Sequence, residues 1–345
     1  MRILLPISKS IANRLLILQA IHGDGLLTVS ADLPDDVLLL HRALTTFETL
    51  KTSETLSTPR LDVGNSGTAM RFLTAYCAQL EGQTTILDGV ERMHHRPIGQ
   101  LVDALREIGA DIEYLGEEGF PPLRIKGCIL DKHRIVTINH PKSTQFVSAL
   151  LLIGVNIQTD STSPYITLTH KLIQHYTTLH HSTRHYTIEK DWSSAAFWYE
   201  YVALHGGEIT LPGLSRDSLQ GDKVVADIFA RLGVHTEYIA EGITLSPHRL
   251  IASSPFEYNF SSCPDLYPAV ALTCERMGVE LHATGVESLP LKESDRLLAV
   301  REHRTDADHR MAMALLIAGY AVDDTDCICK SYPQFLEEYG NLLGQ

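Results

Sequence analysis

Apolar residues along the chain recur at two spacings, one helical and one alternating, and the switch between them is the clearest pattern in it. Through Leu101-Val-Asp-Ala-Leu-Arg-Glu-Ile-Gly109-Ala-Asp-Ile-Glu113-Tyr114 they recur at helical spacing, stop at a glycine and then alternate as in a strand. The passage returns at a shift of 124 residues as Val225-Ala-Asp-Ile-Phe-Ala-Arg-Leu-Gly233-Val-His-Thr-Glu237-Tyr238. The same shift carries Gly82 onto Gly206 and Gly89 onto Gly213, each pair framing alternating apolar residues, and a third such frame runs from Gly278 to Gly285. The spacing predicts helices over Val102–Ile108 and Ala226–Leu232, each ended by its glycine and followed by a short strand. Three landmarks at one offset imply an internal duplication. Units that cannot bury their own apolar face must stack on one another, so two halves of several α/β repeats follow. The boundary is expected near Thr187–Lys190, before a helix starting at Ser193-Ser194.

Five predicted helix starts carry small hydroxyl or cationic residues. They are Ser8-Lys9-Ser10, Gly64-Asn-Ser-Gly67-Thr68 with Arg71, Lys142-Ser143-Thr144-Gln145, Lys292-Glu293-Ser-Asp-Arg296, and Asp308-His309-Arg310. A helix N-terminus offers unpaired N–H groups and the positive end of the dipole. Five such ends with nearby Lys or Arg point to an anionic substrate with more than one charged group. Ser10 with Arg14, Thr68 with Arg71, and Lys292 with Arg296 are spaced to share a helix face. The loop at Gly64–Thr68 lacks the ending of a nucleotide P-loop, and its use is to bring backbone N–H groups close to a small anion. The histidines His170, His175, His180, His181 and His185 include one pair at i,i+4 but have no carboxylate or thiol partners nearby, so a polar helix rather than a metal site is expected.

Length and charge narrow the class. At 345 residues the chain has room for two domains, and a net charge of −13 excludes general binding to a phosphate backbone. The longest nearly apolar run, Phe146–Ile157, falls short of the ~20 residues a membrane span needs. Lys9 and Arg14 interrupt the stretch a secretory signal would keep uncharged, so a cytoplasmic location is expected. Six scattered cysteines without a CxxC pair indicate neither a zinc site nor a disulfide framework.

Taken in order, these segments resemble the 5-enolpyruvylshikimate-3-phosphate synthase family of enolpyruvyl transferases. The resemblance is carried by Ser8-Lys-Ser-Ile-Ala-Asn-Arg14, Gly64-Asn-Ser-Gly-Thr-Ala-Met-Arg71, Arg92-Met-His-His-Arg-Pro-Ile98, Ser143-Thr-Gln145, Leu219-Gln-Gly-Asp222, Pro264-Asp265, Leu291-Lys-Glu-Ser-Asp-Arg296, Asp308-His-Arg-Met-Ala-Met313 and Lys330-Ser-Tyr-Pro333. It implies a two-domain, inside-out α/β barrel of repeated βαβαββ units, with residues 8–187 in one domain and 1–7 plus 188–345 in the other, and the active site in the cleft. It also implies transfer of enolpyruvate from phosphoenolpyruvate to the 5-hydroxyl of shikimate 3-phosphate by a monomer, with no metal or organic cofactor, no nucleic acid and no membrane. By that resemblance Lys9, Ser10, Arg14, Ser143, Thr144, Gln145, Thr162, Asp265 and Lys292 would bind shikimate 3-phosphate. Lys9, Gly67, Arg96, Gln145, Arg296, Arg310 and Lys330 would surround phosphoenolpyruvate, with which glyphosate should compete. Asp265 would be the base for the 5-hydroxyl, and either Glu293 or Lys9 would protonate C3.

The chain departs from the family pattern in places. Ile7 stands where a glycine is usual, and Ser163 where a Lys or Arg is common. Lys292 to Asp308 and Gln145 to Pro164 are short by comparison, which allows either omitted mobile segments or the loss of a structural unit. Omission is the expectation, because losing a core repeat would open its neighbours to water. Two further functions stay open: a ligand-binding homologue without turnover, and enolpyruvyl transfer to a UDP-sugar.

Overall fold

In the computed structural model, residues 1–28, 33–51, 58–178, 187–249 and 255–343 are described. They form two compact units: Met1–Lys9, Ser30–Asp35 and Thr187–Gln345 make one, Ser10–Val29 and Asp36–Tyr186 the other. In chain order the second unit holds α1 (Lys9–His22), α2 (Asp35–Lys51), β1 (Arg60–Asp62), α3 (Gly67–Ala78), β2 (Thr84–Asp88), α4 (Gly99–Glu107), β3 (Asp111–Tyr114), β4 (Leu123–Lys126), β5 (Val136–Thr137), α5 (Thr144–Leu152), β6 (Ile157–Gln158) and α6 (Pro164–Thr178). The first unit continues with α7 (Trp192–His205), β7 (Ile209–Pro212), α8 (Val225–Arg231), β8 (Val234–Ile239), β9 (Gly242–Pro247), β10 (Phe256–Asn259), α9 (Tyr267–Met277), β11 (Leu281–Thr284), α10 (Arg296–Glu302), α11 (His309–Ile317) and α12 (Phe335–Leu343).

The 124-residue echo has a structural counterpart. In one unit β1 runs parallel to β2, and β2 pairs antiparallel with β4, which closes a hairpin with β3. In the other, Arg2 bridges parallel to Thr210 of β7, and β7 pairs antiparallel with β9, which closes a hairpin with β8. Helices α4 and α8 begin slightly before the apolar spacing predicted, and each chain reverses at its glycine, Gly109 at φ +100 and Gly233 at φ +90. That left-handed backbone favours glycine at both joints. The parallel pairs β5–β6 and β10–β11 have no such hairpin among the described residues.

The short spacings belong to the chain itself. The sequence is continuous from 1 to 345, which corrects the expectation of omitted segments. Between Lys292 and Asp308 the backbone passes through α10 and turns back within five residues, with His303, Asp306 and Ala307 at φ +51, +49 and +56. Left-handed non-glycine residues cost on the order of 1 kcal/mol each. The turn is offset by contacts: His303 stacks on Tyr320 at 3.9 Å and sits 2.8 Å from Glu275, Thr305 Oγ1 donates to Asp323, and Arg304 N donates to Ala299 O at 3.0 Å. On the Gln145–Pro164 side, α5, β6 and the start of α6 follow without a break.

Helices α3, α7 and α11 are buried almost all round, as helices enclosed by other elements must be. Trp192, Phe197, Trp198, Phe229, Val270, Met311 and Phe335 belong to one continuous core. Within α7, Glu200 is wholly buried, and neither of its oxygens has a hydrogen-bond partner among the described residues. Burial pushes its carboxyl well above the usual 4.5. A raised folded-state value means that the protonated side chain is tolerated at acid pH and that stability is lost as pH rises through it. Glu200→Met is therefore expected to raise unfolding stability by roughly 1–3 kcal/mol at pH 8 and to show little gain at pH 4, which chemical denaturation at the two pH values would measure. No helix among the described residues is long and apolar enough to cross a membrane.

Candidate active site

In the first unit, cations and carboxylates interlock around Asp265, which lies in a 3₁₀ turn (Pro264–Leu266) leading into α9. Arg296 Nη1 donates to Asp265 Oδ1 at 2.8 Å, Lys292 Nζ to the same oxygen at 3.2 Å, and Arg310 Nη2 to Oδ2 at 3.0 Å. Burial would raise the Asp265 carboxyl, but Arg310, Lys292, Arg296 and Lys9 together hold it well below the usual 3.8. Glu293 accepts from Arg296 Nη2 at 2.9 Å and from Lys330 Nζ at 2.8 Å, and its side chain is only 9% exposed. Sequence spacing placed Lys292 and Arg296 on one helix face, and the structure corrects this. Lys292 ends a separate 3₁₀ turn, and α10 starts only at Arg296 because the Asp295 carboxylate caps it by accepting from the N–H groups of Leu297 and Leu298. The two cations still converge, but through a loop.

Asp308 and His309, marked in the sequence only as part of a helix start, and Asp222 complete this cluster. Asp308, wholly buried, accepts from Arg296 Nε at 2.8 Å, from Ser294 Oγ at 3.2 Å and from Arg310 N at 3.0 Å. It is both the cap of α11 and the anchor of the Arg296 guanidinium. His309 is fully buried, and neither ring nitrogen has a hydrogen-bond partner among the described residues; Arg310 Nη1 is likewise unpaired. Burial, with Lys9 and Arg310, holds the His309 imidazole well below 6.5, so it is neutral at pH 7. Asp222 accepts from Ser193 Oγ, and burial and Asp265 push its carboxyl up to about 6. Asp308-His-Arg310 shows a helix start in the sequence, but not that Asp308 also anchors Arg296, twelve positions away.

The second unit gathers a different set. Helix α3 is capped by Ser66, whose Oγ accepts from Ala69 N at 3.3 Å, and this leaves Gly67 at the first helical position. A Cβ on Gly67 would stand 2.6 Å from Arg96 Cζ and would also strike Arg71 Nη1. Arg96 donates to Asn65 O at 3.2 Å, and Arg71 to Gly67 O at 2.9 Å and Pro97 O at 3.2 Å. Both guanidiniums are thus buried beside a bare backbone. Gln145 Nε2 donates to Thr68 Oγ1 at 2.8 Å, joining α5 to α3. Arg14 is buried among neutral oxygens: Thr169 Oγ1 at 2.7 Å, Ser10 O at 2.8 Å, Ser148 Oγ at 3.1 Å and Tyr165 O at 3.4 Å. Burial lowers its pKa to about 10, so it stays charged at neutral pH. Ser143 caps α5 through Gln145 N at 3.3 Å, and Thr162 lies exposed before α6. Ser143, Thr144 and Thr162 are not hydrogen-bonded to either arginine group among the described residues. Of the histidine run, His170 and His175 lie on α6, while His180, His181 and His185 fall outside the described residues.

The comparisons with known proteins agree with one another. The family model EPSP synthase (3-phosphoshikimate 1-carboxyvinyltransferase) matches residues 2–303, ending where the short turn into α11 begins. A 3-phosphoshikimate 1-carboxyvinyltransferase of Bacteroides fragilis (strain YCH46) is 36% identical over 392 aligned residues, covering 96% of this chain and 92% of that protein. That alignment is longer than the 345-residue chain, so the relative carries segments absent here. A protein of the same name from Erwinia tasmaniensis is 31% identical, covering 98% of this chain and 95% of its own length. Among solved structures, an EPSP synthase from Acinetobacter baumannii has a TM-score of 0.66 at 18% identity, covering 99% of this chain and 95% of its own. The enolpyruvyl transferase NikO from Streptomyces tendae has a TM-score of 0.62 at 14% identity, covering 99% and 94%. These likenesses give the α/β fold, and the family model and the curated relatives, spanning nearly the whole chain, give the kinship: the chain belongs to the EPSP synthase family.

Proposed function

We propose that this protein transfers the enolpyruvyl group of phosphoenolpyruvate to the 5-hydroxyl of shikimate 3-phosphate and releases phosphate, a step of aromatic amino-acid synthesis. The observation that carries the reading is the cluster of Lys9, Lys292, Arg296, Arg310 and Lys330 around Asp265 and Glu293, with Arg310 Nη1 and the one N–H of the neutral His309 imidazole buried without a hydrogen-bond partner among the described residues. Buried donors without acceptors are costly. A ligand bearing a carboxylate and a phosphate would supply the acceptors.

In this reading Asp265 takes the proton of the 5-hydroxyl. Its carboxyl is held low while Arg310, Lys292 and Arg296 point at it, and anionic substrates drawing on those cations would return it toward an effective base. Glu293 delivers a proton to C3 of phosphoenolpyruvate and recovers one when phosphate leaves, with Lys9 the competing donor. Lys9, Gly67, Arg96, Gln145, Arg296, Arg310 and Lys330 would hold phosphoenolpyruvate, and Lys9, Ser10, Arg14, Ser143, Thr144, Gln145, Thr162, Asp265 and Lys292 shikimate 3-phosphate. We also read the matching strand orders of the two units as copies of one βαβαββ repeat in an inside-out barrel, working as a cytoplasmic monomer without metal or organic cofactor.

The test is phosphate release with shikimate 3-phosphate or a UDP-amino sugar as acceptor, the product identified by mass spectrometry. Release with the first acceptor alone supports the assignment, and release with the second alone overturns it. Gly67→Ala should raise the KM for phosphoenolpyruvate about tenfold, since overpacking costs ~1–3 kcal/mol, and should weaken glyphosate inhibition in the same assay.

A further inference from the structure

The backbone that presents Lys9 is held by the segment through which the chain re-enters the first unit. Asp191 N donates to Pro6 O at 3.0 Å, Ser8 N to Glu189 O at 2.8 Å, and Lys9 N to Asp191 Oδ2 at 3.2 Å. The other oxygen of Asp191 accepts from Ser194 N at 2.8 Å and so caps α7. Residues 189–191 thus fix both the start of α7 and the backbone of Lys9.

The Glu189 side chain accepts from four donors, all neutral. Oε1 takes Trp192 Nε1 and Ser215 N, each at 3.0 Å, and Oε2 takes Ser218 Oγ at 2.5 Å and Gln220 Nε2 at 2.9 Å. Gln220 also donates to Lys190 O at 2.7 Å and accepts from Trp192 N at 3.2 Å. Only a carboxylate offers enough acceptor sites for four donors converging on one side chain; an amide would turn its NH₂ toward two of them.

We propose that Glu189 is a positioning residue for the transfer reaction, tying the returning segment to the loop Ser215–Gln220 and thereby fixing Lys9 and Asp191 relative to Asp265. It touches no reacting atom, and its effect passes through Asp191 to Lys9. The proposal rests on the transferase reading above. Trp192 is a built-in reporter, since its indole donates to Glu189 while that of Trp198 donates to Tyr332 OH at 3.2 Å.

The experiment compares wild-type protein, Glu189→Ala and Glu189→Gln, well below their unfolding temperatures. It reads kcat and KM with shikimate 3-phosphate and phosphoenolpyruvate, and tryptophan emission without substrate. Misplacement of a reacting group by about 1 Å costs on the order of 100-fold, so Glu189→Ala is expected to lose about that in kcat/KM, with a red-shifted emission from Trp192. Glu189→Gln keeps one oxygen and two of the four bonds, so it should recover to within about tenfold of wild type, an order-of-magnitude step of the same kind; it also serves if the alanine variant does not fold. Wild-type kinetics in the folded variants overturn the proposal, as does activity lost without a change in Trp192 emission. Wild-type protein that releases no phosphate overturns the transferase reading instead, whatever the variants' emission shows.

Discussion

Asp265→Asn is expected to lower turnover by a factor of about 10²–10⁴, the usual worth of a positioned general base, while phosphoenolpyruvate binds at least as tightly as before. The retained affinity follows from charge. Asp265 lies against Lys292, Arg296 and Arg310, so neutralising it leaves the cation cluster more positive toward an anionic ligand. Calorimetry with phosphoenolpyruvate beside a phosphate-release assay separates the two effects. The carboxyl is held well below 3.8, so in the free protein its ion pairs contribute stability above the unfolded value that is lost only as pH falls through the depressed one.

The second large effect is on the fold. Arg296 is 1% exposed and serves three carboxylates: Asp265, Glu293 and the wholly buried Asp308. Arg296→Met would strip the cation from Asp308 and shift the burden on Asp265 and Glu293 to Lys292, Arg310 and Lys330. Breaking a buried charge network from one side costs ~3–5 kcal/mol, seen as a lower denaturant midpoint. Arg296→Lys is expected to restore little, because a single ammonium cannot present three separate nitrogens to three carboxylates. A variant with wild-type stability would show that the network is not held by this guanidinium.

What could be read in advance divides by how local its cause is. Helices ended by Gly109 and Gly233, and the strands after them, follow from neighbours within a turn, and spacing found them. Arg296 shows the opposite: its partners lie 3, 12 and 31 positions away in sequence, and the assumed helix between Lys292 and Arg296 hid the cap at Asp295 that sets its direction. Glu293 stood within a marked helix start, whereas Asp265 and Lys330 were legible only through family motifs. Glu189 was not legible at all, since its four donors come from Trp192 and the distant Ser215–Gln220 loop. The short turn at His303–Ala307 escaped for a similar reason: its support comes from Glu275, Tyr320 and Asp323, and composition gives no sign of it.

This chain, though its curated relative carries segments absent here, is expected to turn over its substrates and not merely bind them. Phosphate release by wild-type protein given shikimate 3-phosphate and phosphoenolpyruvate, measured alongside calorimetric binding of both ligands, tests it most directly. The wild type is expected to bind both ligands and release phosphate steadily, and Asp265→Asn to bind both and release it about 10²–10⁴-fold more slowly. Wild-type protein that binds both ligands and releases no phosphate would contradict it and leave a ligand-binding homologue.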